Sequence, residues 1–562
     1  MRFKALPLLA AALIAGSASP APRYDTVLRG GTIYDGSGGA PFAGDVAITG
    51  DRIVAMARHV AGRGRREIEV GGLAVAPGFI NMLSWANESL IADGRGESDI
   101  RQGVTLEVMG EGESMGPWNE AMKRREAARQ ADIRYPIAWT SLGDYLAFLE
   151  RKGVSPNVAS FVGATTVRVH ELGEGDVDPN PEQLRRMRAL VRQAMNEGAM
   201  GVGSSLIYAP ATFAETPELT ALAREAASCG GLYISHIRDE GPKLLEAIDE
   251  LIAISAASGA PAEIYHLKQA GRPNWGKIDA VVARIEAARA GGHRITADMY
   301  TYVASATGLD AAIPTWAQAG GVEAWIARMK DPAVRARILA EMRSPAQRSE
   351  DTNLVVKEPE KVLLLAFRNP ALKPLTGKSL AEVARMRGKT AEETAIDLVV
   401  EDGTRIGVAY FIMNEDNVRR QIRLPWVSFG SDASAQAPEG VFLKSSTHPR
   451  AYGNFARLLG RYVRDEKLIP LQEAVRRLAA LPARNLGIRN RGMLRLGYFA
   501  DIAIFDPAKI RDNATFERPQ QFATGMHDVF VNGVQVISDG THTGARPGRF
   551  VKGPGWKRCP PT

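Results

Sequence analysis

Two stretches of the sequence decide the fold: GLYISHIRDEG at residues 231–241 and AEIYHLKQAGR at residues 262–272. Each opens with a short apolar run and reaches a histidine, His236 in the first and His266 in the second. Apolar runs separated by helical patterns are typical of parallel strands joined by helices. Because the carboxyl ends of such strands meet at one edge, we expect the two imidazoles to lie close together.

Similar apolar runs recur along most of the chain, and helical segments such as 183–197 and 215–228 separate several of them. This alternation predicts an α/β fold in which eight parallel strands close into a (β/α)8 barrel. The further strand candidates are 104–109, 158–163, 200–204, 294–300 and 426–431.

Residues 305–410 leave a gap between two of these strands that is too long for one barrel connection. The segment is rich in Lys, Glu and Arg within helical patterns. We therefore predict an inserted helical subdomain.

Both ends of the chain have a different pattern, in which short β-rich segments alternate with Gly- and Asp-rich turns. We expect the two ends to pair into one small β-sandwich, made of residues 24–76 and 490–553. The barrel then covers 77–489, and residues 554–562 form a tail.

The first residues, MRFKALPLLAAALIAGSASPAPR, have a basic start, an apolar stretch and then small residues. This pattern is typical of a secretory signal peptide, here residues 1–21, and predicts an exported protein that is periplasmic or secreted. No later stretch has the roughly 18 uninterrupted apolar residues that a membrane-spanning helix requires.

The composition is that of an ordinary globular protein: 562 residues, of which 45% are hydrophobic and 24% charged. The net charge of +7 is spread thinly, and basic clusters such as LRRMRALVR at 184–192 lie among aliphatic residues. A helix face exposed to solvent explains that pattern better than a nucleic-acid site.

The chain has two cysteines, which are far apart in sequence. Cys229 reads as a small core residue, and Cys559 lies in the Pro-rich tail, where we expect it to be mobile. A disulfide between them is compatible with an oxidising compartment, but their spacing does not favour one.

Three strands end in a polar residue that is able to do chemistry: His236, His266 and Asp432, the last in LPWVSFGSDAS. Two imidazoles and a carboxylate at separate strand ends can converge on one metal. A zinc ion with an open position would activate water for hydrolysis, and Asp432 would act as general acid/base. One such histidine alone is more often a core or helix-capping residue, whereas two at equivalent positions favour a metal site.

A set of motifs, in this order and spacing, gives the chain a family resemblance. They are VLRGGTIYDGSG, VAPGFI, GAMGVGSSLIYAP, SHIRDEG, YHLKQAG, DMYTY, GSDAS, HPRAYGNFARLLGRYVR, LPARNLGIRNRGMLRLGYFADIAIFDP and HTGARPGR. The chain resembles the amidohydrolase superfamily and, within it, the N-acyl-D-amino-acid deacylases, also called D-aminoacylases. The resemblance extends over nearly everything after residue 23.

The resemblance implies a distorted barrel with a small β-sandwich, and zinc-dependent hydrolysis of the amide bond of an N-acyl amino acid. It implies that His236 and His266 bind the metal and that Asp432 is the general acid/base. It implies that a small substrate bearing a carboxylate is bound by three residues: Lys268, Tyr300 and Arg450. Tyr302, in the same motif, is the alternative to Tyr300.

The chain departs from the family at the end of the first barrel strand. Family members have PGFIDxHxH, and their two histidines bind a second metal; here PGFINMLSW has Leu83 and Trp85 at those positions. We therefore expect one zinc ion. Trp85 either fills the vacated space or lines the acyl pocket, or it is an ordinary core residue.

A second departure follows strand 104–109, where the family has a metal-binding cysteine. The chain has VMGEGESMGP, in which that cysteine aligns with Gly112, between Glu111 and Glu113. A carboxylate is a competent zinc ligand, and we favour Glu111. The alternative is an acidic turn that is simply exposed to solvent.

Three functions remain open on the sequence alone. The first is an exported, single-zinc hydrolase of N-acyl amino acids. The second keeps the fold and the metal but cleaves a cyclic amide, peptide or ester. The third is a non-catalytic binding protein or pseudoenzyme. Against it argues the joint retention of five residues: His236, His266, Asp432, Lys268 and Arg450.

Overall fold

The structure is a computed structural model that describes residues 23–346 and 348–560. The predicted signal peptide, residues 1–21, lies outside the described residues.

Short parallel strands form a closed barrel at the centre of the described chain, which confirms the predicted fold class. Their order follows the sequence, and neighbouring strands are hydrogen-bonded in two sheets of three and six strands. The strands are β6 (Phe79–Asn81), β7 (Val104–Met109), β8 (Asn157–Ser160) with its continuation β9 (Val162–Gly163), β10 (Gly201–Ser205), β11 (Leu232–His236), β12 (Ala262–Ile264), β13 (Ile295–Met299) and, after the insertion, β17 (Val427–Phe429).

The backbone just beyond β6 and β17 closes the barrel. The amide of Met82 donates to the carbonyl of Phe429 at 3.2 Å. Further along, the amide of Asp432 donates to the carbonyl of Leu83 at 2.8 Å, and Ser84 pairs in parallel with Ala433. This closing seam therefore joins the Leu-Ser-Trp segment directly to the Gly-Ser-Asp segment.

The two ends of the chain share one branched sheet of nine strands, with a core that includes Leu28, Ile48 and Ile504. Strand β5 pairs with the first C-terminal strand in antiparallel register, Val75 opposite Ile504. The strands are β1 (Arg23–Ile33), β2 (Phe42–Thr49), β3 (Arg52–Ala57), β4 (Arg63–Glu69), β5 (Ala74–Pro77), β18 (Ile502–Phe505), β19 (Met526–Val531), β20 (Val534–Ser538) and β21 (Thr541–His542).

The insertion between β13 and β17 is mostly helical, but it also contains a small antiparallel sheet that the sequence pattern did not indicate. Its strands lie in the order β14, β16, β15. The bounds are β14 (Ser305–Gly308), β15 (Val362–Ala366) and β16 (Gly407–Tyr410).

One helix that surrounds the barrel, α6 (Pro181–Glu197), shows how its sequence sets its ends and its buried face. In the basic segment noted above, Asn180 and Gln183 form a capping box, Met187 and Val191 are buried, and Gly198 ends the helix in a left-handed conformation. The α-helices before the insertion are α1 (Ser89–Ala92), α2 (Glu97–Ile100), α3 (Glu120–Arg129), α4 (Leu142–Lys152), α5 (Ala164–Leu172), α6 (Pro181–Glu197), α7 (Thr216–Ser228), α8 (Leu244–Ser258) and α9 (Ile278–Ala290).

The remaining helices lie in the insertion and after it. Two π-helical segments, Leu458–Asp465 and Arg476–Ala480, continue helices of this group. The α-helices are α10 (Val322–Lys330), α11 (Pro332–Arg343), α12 (Glu350–Lys357), α13 (Leu380–Arg387), α14 (Ala391–Asp402), α15 (Glu415–Ile422), α16 (Arg450–Arg457), α17 (Leu471–Val475) and α18 (Leu481–Asn485). Within 23–346 and 348–560, none of the helices combines the length and apolarity needed to cross a membrane.

The C-terminal tail is held against the barrel by a disulfide. Cys229, directly after α7, is bonded to Cys559, and the amide of Cys559 donates to the side chain of Asn196 at 3.3 Å. The expectation that Cys559 is mobile is therefore wrong. The two cysteines are 330 residues apart in sequence, so only the packing of the tail against α6 and α7 brings them together.

Candidate metal centre and active site

Glu111 reaches the mouth of the barrel on a tight turn after β7. Gly110 and Gly112 on either side of it have φ values of +102° and +68°. A Cβ atom on Gly112 would lie 2.4 Å from the Cβ of Ser205, so the turn admits no side chain at that position. Of the two carboxylates in this turn, that of Glu111 is buried, at 4% exposure, whereas Glu113 is exposed to solvent.

Glu111, His236 and His266 converge on one point. The Oε1 atom of Glu111 lies 3.0 Å from Nδ1 of His236 and 3.0 Å from Nε2 of His266. One ligand atom from each side chain lies within 4.8 Å of the others, and in the described part of the chain this is the one such group of three. A carboxylate and two imidazoles are a donor set that suits zinc.

Charge and burial at this point favour a cation. Burial by itself raises the pKa of the Glu111 carboxyl, but His266 and His236 beside it hold that pKa well below its usual range. Burial lowers the pKa of His236. Burial and Lys268 lower the pKa of His266, but Glu111 and Glu240 outweigh them and raise it to about 10. A metal bound here would displace that proton from His266.

The carboxylate of Glu240 lies beside the ring nitrogen of each histidine that does not face Glu111. Its carboxylate lies 3.2 Å from Nδ1 of His266 and 3.6 Å from Nε2 of His236, and it accepts a 2.6 Å hydrogen bond from Lys268 Nζ. Carboxylates in this position orient histidine ligands and make them better donors. Local sequence gives no signal for this contact, although Glu240 lies four residues after His236 in SHIRDEG.

Asp432 lies at the same edge of the barrel in a left-handed conformation, with φ at +48°. Its Oδ2 atom pairs with Nη2 of Arg450 at 2.8 Å. Burial raises the pKa of the Asp432 carboxyl and the charge of Glu111 adds to that rise, while Arg450 opposes it. Strained backbone that persists at a polar, buried residue is common at functional sites.

Trp85 is not an ordinary core residue, because it is partly exposed and its indole makes polar contacts. Its side chain is 37% exposed and lines the cavity above the metal centre. The indole Nε1 lies 3.0 Å from Oε2 of Glu111 and 3.1 Å from Oδ1 of Asp432. Leu83, by contrast, is fully buried in the core beneath the barrel mouth.

The predicted substrate-binding residues surround the same point. Arg450 lies over the ring of Tyr300 at 4.4 Å, and Lys268 Nζ lies 2.6 Å from His266 Nδ1. The hydroxyl of Tyr300 makes one weak contact, 3.6 Å to the sulfur of Met413. Tyr302 does not share this position.

Tyr302 points away from the cavity. Its hydroxyl donates to Oδ2 of Asp512 at 2.7 Å, and its ring packs edge-on against His448 and Phe516. The alternative in which Tyr302 exchanges roles with Tyr300 therefore does not agree with the geometry.

The metal centre opens into a cavity of about 1680 Å³. Barrel loops form its floor, and the insertion forms much of its wall through Trp316, Trp325, Phe367 and Arg405. The cavity is therefore large enough for a small-molecule substrate, and the insertion lines one side of it.

The fold and this site match known proteins along almost the whole chain. A family model described as "Amidohydrolase family" matches residues 66–537. The chain belongs to the amidohydrolase family. As an amidohydrolase, it is a hydrolase acting on carbon–nitrogen amide bonds other than peptide bonds.

Among amidohydrolases, this chain is 32% identical to a D-aminoacylase of Alcaligenes xylosoxydans xylosoxydans over 95% of its length and 99% of that protein. A solved D-aminoacylase structure, with a binuclear centre described as activated by one metal and attenuated by the second, aligns with a TM-score of 0.77 at 30% identity. This alignment covers 94% of the present chain and 100% of the D-aminoacylase chain.

An N-acyl-D-glutamate deacylase from Bordetella bronchiseptica aligns with a TM-score of 0.76 at 28% identity, over 94% of this chain and 100% of that chain. That enzyme was solved with zinc and a phosphonate inhibitor that mimics the tetrahedral intermediate. The family resemblance inferred from the motifs is thus confirmed.

Proposed function

We propose that this amidohydrolase is a single-zinc deacylase that cleaves the amide bond of N-acyl-D-amino acids. The observation that carries the proposal is the convergence of Glu111, His236 and His266 directly beside Asp432, at the floor of the cavity. The identity of the relatives, a D-aminoacylase and an N-acyl-D-glutamate deacylase, supports the D-amino-acid class.

Glu111, His236 and His266 would hold the zinc, which when bound supplies Lewis-acid activation of a water molecule and of the scissile carbonyl. Leu83 and Trp85 stand where a second pair of histidine ligands would be needed, and neither side chain is a metal ligand. One ion per chain is therefore the proposed stoichiometry.

Asp432 performs the proton transfers in this proposal. Its carboxylate accepts a proton from the attacking water and then donates that proton to the leaving amine nitrogen. Burial, which raises the pKa of Asp432, makes it a stronger base than an exposed aspartate and a carrier that can hold the proton between the two steps.

Arg450 binds the substrate carboxylate. It is buried, and its Nε and Nη1 atoms have no hydrogen-bond partner among the described residues. Buried guanidinium donors without partners are costly, and a substrate carboxylate that accepts from one of them would remove part of that cost. Tyr300 and Lys268 complete the polar wall around it.

The other two functions lack a specific observation in their favour. A cyclic amide, peptide or ester would need features that distinguish it from an N-acyl amino acid, and the cavity offers none that we identify. A pseudoenzyme would have no physical need for three converging ligands beside a strained, buried Asp432.

We also propose that the protein is exported, to the periplasm or the medium. The basic and apolar start of the sequence supports this location, and so does the Cys229–Cys559 disulfide, because such bonds persist in oxidising compartments.

The test combines elemental analysis of the purified mature protein with a hydrolysis panel of N-acetyl-D- and N-acetyl-L-amino acids. About one zinc per chain together with cleavage of the D-series is the expected result. Cleavage of cyclic amides or esters but not of N-acyl amino acids would contradict the substrate class. A protein that holds no zinc and cleaves nothing would contradict the enzyme mechanism.

A further inference from the structure

One neutral N–H group lies between the two carboxylates on which the proposed chemistry depends. The indole Nε1 of Trp85 is 3.0 Å from Oε2 of Glu111 and 3.1 Å from Oδ1 of Asp432, so a single donor is shared by both. Without it, two buried anions would face each other; their repulsion already contributes to the raised pKa of Asp432.

Each carboxylate has its second oxygen engaged elsewhere. Oε1 of Glu111 faces Nδ1 of His236 and Nε2 of His266, and Oδ2 of Asp432 pairs with Arg450 at 2.8 Å. The Trp85 contact therefore fixes the remaining oxygen of each group. It determines which oxygen of Glu111 points at the metal position and how the carboxylate of Asp432 is rotated.

Trp85 itself is held by the closing seam of the barrel. Its backbone amide donates to the carbonyl of Ala433 at 3.0 Å, and the amide of Asp432 donates to the carbonyl of Leu83 at 2.8 Å. These two hydrogen bonds tie the backbones of Trp85 and Asp432 together. The position of the indole relative to Asp432 is therefore set by the closing seam. A group held in this way can set a geometry within a fraction of an ångström.

An indole also suits the position chemically. Trp has one N–H donor and no acceptor, so it can bind two carboxylates but cannot bind a metal cation. Its N–H contacts the oxygen of Glu111 that does not face the two imidazoles.

We propose that Trp85 is a positioning residue of this metal site: its indole N–H aligns Glu111 for zinc and Asp432 for proton transfer. The inference rests on the proposed single-zinc function and goes beyond it, because it assigns a role to a residue that neither binds the metal nor reacts.

The test is Trp85→Phe, which keeps an aromatic ring and removes the N–H. We expect zinc affinity, measured by titrating the metal-free protein against a chromogenic chelator, to fall about tenfold or more. The kcat for the best N-acyl amino acid should fall about ten- to a hundredfold with little change in KM. Circular dichroism and thermal unfolding of the metal-free protein check that the variant is folded.

Trp426→Phe is the matched control. Trp426 lies at the opposite end of the strand that leads to Asp432. Its indole N–H also donates to a carboxylate, that of Glu286. Trp426 does not line the cavity. Its zinc affinity and kcat should equal those of the wild type.

The outcomes separate this inference from the proposed function. If the wild type binds zinc and hydrolyses substrate, and Trp85→Phe has the same zinc affinity and kcat, the role of Trp85 alone would be overturned. A wild type that binds no zinc would overturn both. Loss of zinc affinity in Trp85→Phe but not in Trp426→Phe would support the inference even without a substrate in hand.

Discussion

Asp432 and Arg450 form an ion pair of 2.8 Å at the floor of the cavity, and only one nitrogen of the guanidinium takes part in it. The other two nitrogens, Nε and Nη1, are buried and have no partner in the described part of the chain. Direct contact therefore fixes the position of Asp432, the proposed general acid/base, relative to Arg450, the proposed carboxylate-binding residue. This arrangement places the reacting bond close to the substrate's carboxylate.

Replacing Arg450 by Lys should weaken substrate binding although the charge is kept. Lys has no planar fork, so the substrate carboxylate loses a hydrogen bond. We expect KM to rise about ten- to a hundredfold, and steady-state kinetics measures it. Arg185→Lys, at an exposed position of α6 that does not line the cavity, is the control; an unchanged KM in Arg450→Lys would contradict the assigned role.

Asp432→Asn should abolish proton transfer and leave the metal in place. General acid/base groups contribute about 10²- to 10⁴-fold to rates, so kcat should fall within that range. Zinc content by elemental analysis should stay at the wild-type level. The mechanism would be wrong if turnover persisted, and Asp416→Asn, on a highly exposed side chain, serves as control.

Glu111→Gln and Glu113→Gln form a matched pair two residues apart. The amide of Gln is a poor replacement for a carboxylate ligand, so Glu111→Gln should lose most of its zinc on dialysis. Glu113, exposed to solvent, should tolerate the change with full zinc content. Elemental analysis of both variants after the same dialysis decides; loss of zinc from Glu113→Gln instead would reverse the ligand assignment.

Removing the disulfide should lower stability without affecting the site. The bond closes a very long loop and anchors the tail, and native disulfides typically contribute about 2–5 kcal/mol. The double variant Cys229→Ala/Cys559→Ala should unfold at a lower temperature with unchanged kcat. Reductant should lower the unfolding temperature of the wild type only; an equal effect on both proteins would show that the bond is not formed.

A buried acidic pair makes stability depend on pH. Burial raises the pKa of Asp99, and it raises that of Glu107 to about 7, with Asn81 Nδ2 3.0 Å from the Glu107 carboxylate. A carboxyl whose pKa is higher in the folded state binds a proton more tightly there. Its stabilising contribution is therefore present at low pH and is lost as pH rises through about 7.

Glu107→Gln should remove that dependence. The variant should gain on the order of 2–3 kcal/mol relative to the wild type at pH 8 and much less at pH 5. Thermal unfolding of both proteins at the two pH values measures the difference. Equal gains at both pH values would show that Glu107 does not titrate in this range.

The positions of His236, His266 and Asp432 were predictable because each ends a short apolar strand in an alternating strand and helix pattern. Parallel strands bring equivalent ends together whatever lies between them, so no distance information was needed. Glu111 was harder to predict, since it lies within a turn whose shape depends on the close approach of Gly112 to Ser205. The motif alignment narrowed the choice to Glu111 and Glu113, and the packing explains why the carboxylate of Glu111 is the one that faces the two histidines.

Other features depended on contacts between distant segments. Tyr300 and Tyr302 are two residues apart in the same motif, and only the position of Asp512 shows which hydroxyl is already engaged. The disulfide, the small sheet in the insertion and the contact of Glu240 with both histidines belong to the same class. Local periodicity contains no signal for such pairings.

The sequence by itself determined the barrel, the metal-binding type of chemistry and the absence of the first-strand histidines, because these follow from local patterns and residue types. The tertiary structure alone decided which groups Trp85 contacts there. The closing seam aligns residues 83–85 with residues 432–433, which are hundreds of positions away, and so brings one indole N–H within 3.1 Å of both Glu111 and Asp432. A hydrogen bond depends on distance and direction, and only the folded chain sets both.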